Sequence, residues 1–210
     1  MNLRLLPILL FPFLFLQCKE GPQPSEATIS ESLPKVGLIT EKAMVVSARE
    51  EASKIGVEIL QNGGNAFDAM IATEMALAVV YPYAGNLGGG GFMVYRTQYG
   101  ELGGFDYREK APKKASRDMY LDTNGVYQAE KSKQGSLAVG IPGTVAGMFA
   151  VHEKLGSLPM EIILEPVIAL AKKGFVMTPS QAERFNHYAP VFEKVSGEPS
   201  IVTQQYAPGD

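Results

Sequence analysis

A layered α+β domain is the fold class that the sequence predicts, and two features predict it. Residues 66–80 form a helical stretch that is apolar nearly all round, interrupted only by Asp68, Thr73 and Glu74. A helix of that kind is buried on most sides and acts as the hub of a core. Next, two strand patterns at residues 92–95 and 102–107 precede a run of helices, rather than alternating strictly with them, which is the order of a layered arrangement. A hydrophobic share of 46% over 210 residues is enough for a real core, in one ordinary domain or part of a larger one.

The elements follow in order. Residues 1–18 read as an export signal: Arg4 supplies the positive start, and residues 5–16 are an apolar run too short for a membrane span. Phe15-Leu16-Gln17-Cys18 resembles a bacterial lipoprotein signal, with Cys18 the candidate lipidated residue, although Gln17 stands where a small residue is usual. The competing reading is an ordinary secretory signal; both export the chain, and acylation adds a membrane anchor. Residues 19–42 are polar and hold Pro22, Pro24 and Pro34, the composition of a flexible tether. The folded part is expected at 43–210.

Within it, residues 44–46 suggest a short strand, and Ser47 with Glu50 has the spacing of a capping box. Ala52, Ile55, Gly56, Ile59 and Leu60 share one helical face, and Gly63 is placed to end that helix. Asn65 is the expected N-cap of the apolar helix, with Asp68 in its first turn, and Tyr81-Pro82 ends it. The two strands turn at Tyr99-Gly100, and residues 110–134 are polar and irregular. Helices are expected from Pro142-Gly143 to Leu155, from Met160 to Lys173 with a stop at Gly174, and from Thr178-Pro179 onward.

Several function classes are disfavoured. A net charge of −3 argues against a nucleic-acid binder. One cysteine precludes an internal disulfide or Cys-based zinc site, and two histidines, His152 and His187, make a histidine-rich metal centre improbable. Nothing in the sequence calls for a cofactor. The run Gly88 to Gly91 lacks the Lys-Ser/Thr of a nucleotide loop and leads into a strand, so its glycines read as devices for close backbone approach. His152 and His187 read as structural, and Thr144 as a helix-start residue rather than a nucleophile.

Arg108 stands out. In Asp106-Tyr107-Arg108-Glu109-Lys110-Ala111-Pro112 it ends a strand, where a planar, permanently charged fork suits bidentate recognition of a carboxylate. The competing reading is a surface arginine paired with Glu109 or Asp106. Lys110, Lys113, Lys114 and Arg117 read as a solvated loop diluted by Glu109 and Asp118.

Residues 48–60 followed by Asn62-Gly63-Gly64-Asn65-Ala66-Phe67-Asp68-Ala69 resemble the opening of the γ-glutamyltransferases (glutathione hydrolases). The segments Gly85-Asn86-Leu87-Gly88-Gly89-Gly90-Gly91-Phe92, Arg108-Glu109-Lys110-Ala111-Pro112, Val139-Gly140-Ile141-Pro142-Gly143 and Gly174-Phe175 continue in the family order. The resemblance implies an N-terminal nucleophile hydrolase, an αββα sandwich of two sheets between helical layers, incomplete in this chain. It implies a proenzyme that cuts itself, and a new N-terminal threonine whose own amine serves as base when it attacks the γ-carbonyl of glutathione. Backbone amides would hold the oxyanion, and water or an amino acid would take the acyl group.

By the same resemblance Arg108 binds the α-carboxylate of the γ-glutamyl group, and Glu109 orients Arg108 or meets the substrate amine. No threonine here has the family's threonine-threonine-histidine setting. The expectation is therefore the N-terminal part of a large subunit, with no catalytic residue of its own and a need for the missing part and small subunit as partner. Two rivals are a related β-lactam or glutaryl acylase, and a non-catalytic remnant that keeps the carboxylate grip. An exposed apolar patch on the 66–80 helix is expected as well.

Overall fold

The computed structural model describes Gly37 and residues 39–210, and the compact unit is Lys42–Asp210. The export signal with Cys18, and most of the tether, lie outside the described residues. The unit contains α1 (Glu50–Gln61), α2 (Ala66–Val80), β1 (Phe92–Arg96), β2 (Leu102–Asp106), α3 (Thr144–Leu155), α4 (Met160–Lys173) and α5 (Pro179–Ser196). Three short 3-10 turns fall between or after them.

The apolar helix α2 is the hub. It packs against α1, α3 and α4, and Ile71, Ala72, Ala76 and Val80 are wholly buried between them. Ala52, Ile55 and Ile59 supply the α1 face; Met148 and Val151 come from α3, and Ile163 and Val167 from α4. Asn65 caps α2 as the sequence implies: its side chain accepts from Phe67 and Asp68 amides, while Asp68 reaches back to the Asn65 amide. Gly63, at φ +89°, turns the chain between α1 and α2. Gln181 anchors α5 by donating from Nε2 to the Val80 carbonyl at 2.7 Å.

β1 and β2 form an antiparallel hairpin, with Phe92 opposite Asp106 and Arg96 opposite Leu102. Its inner row faces the helices: Met93 and Phe105 pack on the core, and Tyr95 meets Phe67 of α2 edge-on at 5.5 Å. The outer row is open, with Phe92 69%, Val94 89% and Leu102 78% exposed.

Three expectations are corrected. Residues 44–46 are not a strand, because no hydrogen-bonded neighbour lies beside them among the described residues; Val45 instead leans into α1 at Gly56. Ser47 does not cap α1, which begins at Glu50 with Arg49 in the cap position. Its hydroxyl is engaged with the Arg49 carbonyl at 2.8 Å and Ser53 Oγ at 2.7 Å. Finally, the exposed apolar patch lies on the outer row of the hairpin rather than on α2, whose sides are covered by three neighbouring helices.

Candidate functional site

Three glycine-bearing segments far apart in sequence meet around Arg108. The hairpin pairing runs one residue past β2, since the Tyr107 amide donates to the Gly91 carbonyl at 3.0 Å. Beyond Arg108 and Glu109, Lys110 pairs with Ile141 through two backbone bonds of 3.1 and 2.8 Å. The dipeptide Arg108-Glu109 is thus pinned on both flanks, and the Arg108 amide also donates to Asp106 Oδ1 at 3.0 Å.

Close backbone approach explains two of the glycines. A Cβ on Gly90 would come within 2.6 Å of the Tyr107 carbonyl oxygen and 2.8 Å of Arg108 Cα. A Cβ on Gly143 would collide with the same Tyr107 carbonyl. The Tyr107 ring then lies over the Cα atoms of Gly91 and Gly147. Its hydroxyl pKa is raised by burial, with a further push from the charge of Glu74.

The Arg108 side chain projects from this clamp with 53% of its surface exposed. Its guanidinium lies 5.8 Å from the centre of the Phe92 ring, within cation–π range. One amino nitrogen is 3.3 Å from Glu109 Oε2, a through-space ion pair rather than an aligned hydrogen bond. No side-chain hydrogen bond engages the guanidinium among the described residues, so its donor fork faces outward. Glu109 Oε2 is buried and accepts no hydrogen bond, an uncommon state for a carboxylate oxygen. A donor fork beside an unsatisfied acceptor is complementary to the head of an α-amino acid, carboxylate to Arg108 and ammonium to Glu109.

Of the other sequence candidates, both histidines are engaged away from this clamp. His152 is engaged with the Leu158 carbonyl at 2.7 Å, and His187 packs edge-on against Tyr188. Lys110, Lys113 and Lys114 are exposed, and Arg117 pairs with Asp118. A cavity of about 750 Å³ lined by Phe67, Tyr95, Arg96 and Lys154 does not include Arg108. Among the described residues no cluster of histidine, cysteine and carboxylate side chains could hold a metal ion. Thr144 is wholly buried, which removes it as a nucleophile, and Gly143 rather than Thr144 occupies the cap of α3.

Two participants were not read from the sequence. Phe92 stacks near the guanidinium, and Asn86 bonds across the glycine loop to Thr144. The glycine run beside Asn86 was the available signal, but the 58-residue separation from Thr144 leaves no local pattern.

Comparison with known proteins identifies the family. The sequence pattern of the family described as Gamma-glutamyltranspeptidase matches residues 52–209. A glutathione hydrolase proenzyme of Pseudomonas sp. (strain A14) is 48% identical over 154 residues, covering 73% of this chain and 27% of that protein. The glutathione hydrolase proenzyme of Escherichia coli (strain K12) is 45% identical over 148 residues, covering 70% and 26%. The crystal structure of Helicobacter pylori gamma-glutamyltranspeptidase superimposes with a TM-score of 0.77 at 40% identity, covering 83% of this chain and 51% of that one. The chain spans about a quarter of the length of the curated relatives it matches.

Proposed function

Because the chain belongs to the gamma-glutamyltranspeptidase family, we propose that its folded part holds the amino-acid head of a γ-glutamyl donor such as glutathione. The observation that carries this is the half-exposed guanidinium of Arg108, with no side-chain hydrogen bond among the described residues, held beside the Glu109 carboxylate at 3.3 Å. Arg108 takes the α-carboxylate bidentately, and Glu109 orients the guanidinium through its buried Oε2 and accepts from the α-ammonium at Oε1. Two anchors on one α-carbon fix the side chain that leads to the γ-carbonyl, so the scissile bond is presented in one orientation. The chemistry is acyl transfer to water or to an amino acid. Its threonine nucleophile belongs to polypeptide outside these 210 residues, so this chain alone does not turn over substrate.

Calorimetric titration with glutathione tests the reading. Arg108→Ala is expected to weaken binding about 100-fold, the loss of two charge-assisted bonds. Arg108→Lys should recover little of it, because an ammonium cannot reproduce the fork. Unchanged affinity in both variants would refute the assignment.

The chain is also proposed to be exported and anchored in the membrane through Cys18. The apolar run at residues 5–16 and the cysteine that follows it support this. Incorporation of labelled palmitate in a bacterial host should be lost in Cys18→Ser, and equal labelling of both would contradict it.

A further inference from the structure

We propose that Asn86 and Thr144 form a clasp that positions Arg108, a role that rests on the carboxylate-grip reading above. Asn86 Oδ1 accepts two bonds at once, from the Gly89 amide at 2.7 Å and from Thr144 Oγ1 at 2.8 Å. The Gly89 carbonyl likewise accepts from the amides of Gly143 and Thr144, at 2.8 and 3.0 Å. Three of these bonds tie the glycine loop to the start of α3, and the fourth, from the Gly89 amide, closes the loop on Asn86. The two glycines that this knot holds together, Gly90 and Gly143, both lie directly against the backbone of Tyr107 and Arg108.

The slot has no slack. A Cβ on either glycine would overlap that backbone, so the strand extension is in direct contact with both segments of the knot. The separation of the jaws is set by the clasp, and its side-chain half is the hydroxyl of Thr144 on the amide oxygen of Asn86. Thr144 is wholly buried and Asn86 half-buried, so water does not readily replace either partner. Loosening the clasp lets Tyr107 and Arg108 shift, and the guanidinium then loses its fixed distance to Glu109. Neither Asn86 nor Thr144 touches the substrate; both act through the backbone that carries Arg108.

Amide hydrogen exchange and glutathione titration on the same 210-residue chain test the clasp. Thr144→Val keeps the shape and removes the hydroxyl. It should speed exchange of the Tyr107 and Lys110 amides by about 10-fold, leave the α2 amides of Ile71 and Ala72 unchanged, and weaken glutathione about 5-fold, the fold-change of one lost hydrogen bond. Thr144→Ser should restore both quantities. If Thr144→Val fails to fold, the loop variant Asn86→Ala carries the same expectations. Wild-type exchange and affinity in Asn86→Ala and Thr144→Val, with binding still lost in Arg108→Ala, would overturn the clasp alone. Full affinity in Arg108→Ala would overturn the carboxylate reading, and the exchange data would still decide the clasp.

Discussion

Glu74 shows what a single buried charge does in this fold. It lies on α2 without a hydrogen bond or ion pair among the described residues, and burial raises its carboxyl pKa above the ordinary value. The folded state therefore holds its proton more tightly than the unfolded chain does. Glu74's contribution is fully present below the unfolded pKa and is lost as pH rises through the raised folded value. Glu74→Gln should melt close to wild type at about pH 4 and increasingly above it towards about pH 7. A constant difference in melting temperature across that range would show that Glu74 does not titrate in this way. At this scale the sequence was informative about Arg108, since a strand end and a following Glu-Lys-Ala-Pro are local features. The burial of Glu109 was not legible, because it depends on Gly140 lying against its Cβ, 31 positions along the chain.

The same division between local and distant signals holds for the elements. Apart from the start of α1, where Ser47 was misassigned as the cap, the helix ends set by neighbouring residues were readable: Asn65 with Asp68, Gly63, Gly174 and Thr178 with Pro179. The Asp68 carboxylate does more than its capping spacing implies. It is wholly buried, accepts from the Asn65 amide at 2.9 Å, and accepts from both the amide and hydroxyl of Ser157, between α3 and α4. It thereby joins the start of α2 to a loop 89 residues away, for which no local pattern exists. Removing it takes the charged acceptor from the Asn65 amide and from both the amide and hydroxyl of Ser157, so Asp68→Ala should lower unfolding free energy by about 3 kcal/mol in urea titration. A loss under about 1 kcal/mol would reduce Asp68 to an ordinary cap. The misread segment at 44–46 and the misassigned Ser47 follow the same logic. A strand is defined by its partner, and none of the described residues provides one there.

On the scale of the whole molecule, the chain is an incomplete N-terminal nucleophile hydrolase fold, and the described residues contain one two-stranded sheet against helices. The family and the layered class were both legible because the motifs follow one order along the chain. The convergence of the glycine loop, Tyr107–Arg108 and the start of α3 was not, since it is a property of packing. The outer row of the hairpin, Phe92, Val94 and Leu102, leaves apolar area in water. Such a surface drives association. Sedimentation should show concentration-dependent self-association of the chain, reduced by Val94→Lys; a monomer at all concentrations would contradict this.

The grip on the α-carboxylate is tested most directly by deleting either partner in turn. Glutathione and 4-aminobutanoyl-Cys-Gly, which lacks only the α-carboxylate, are titrated into the chain and into Arg108→Ala, closing a double-mutant cycle. The account predicts strong coupling: removing the carboxylate weakens binding to the chain about 100-fold and hardly affects binding to Arg108→Ala. Independent losses, with the carboxylate contributing equally whether or not Arg108 is present, would contradict it.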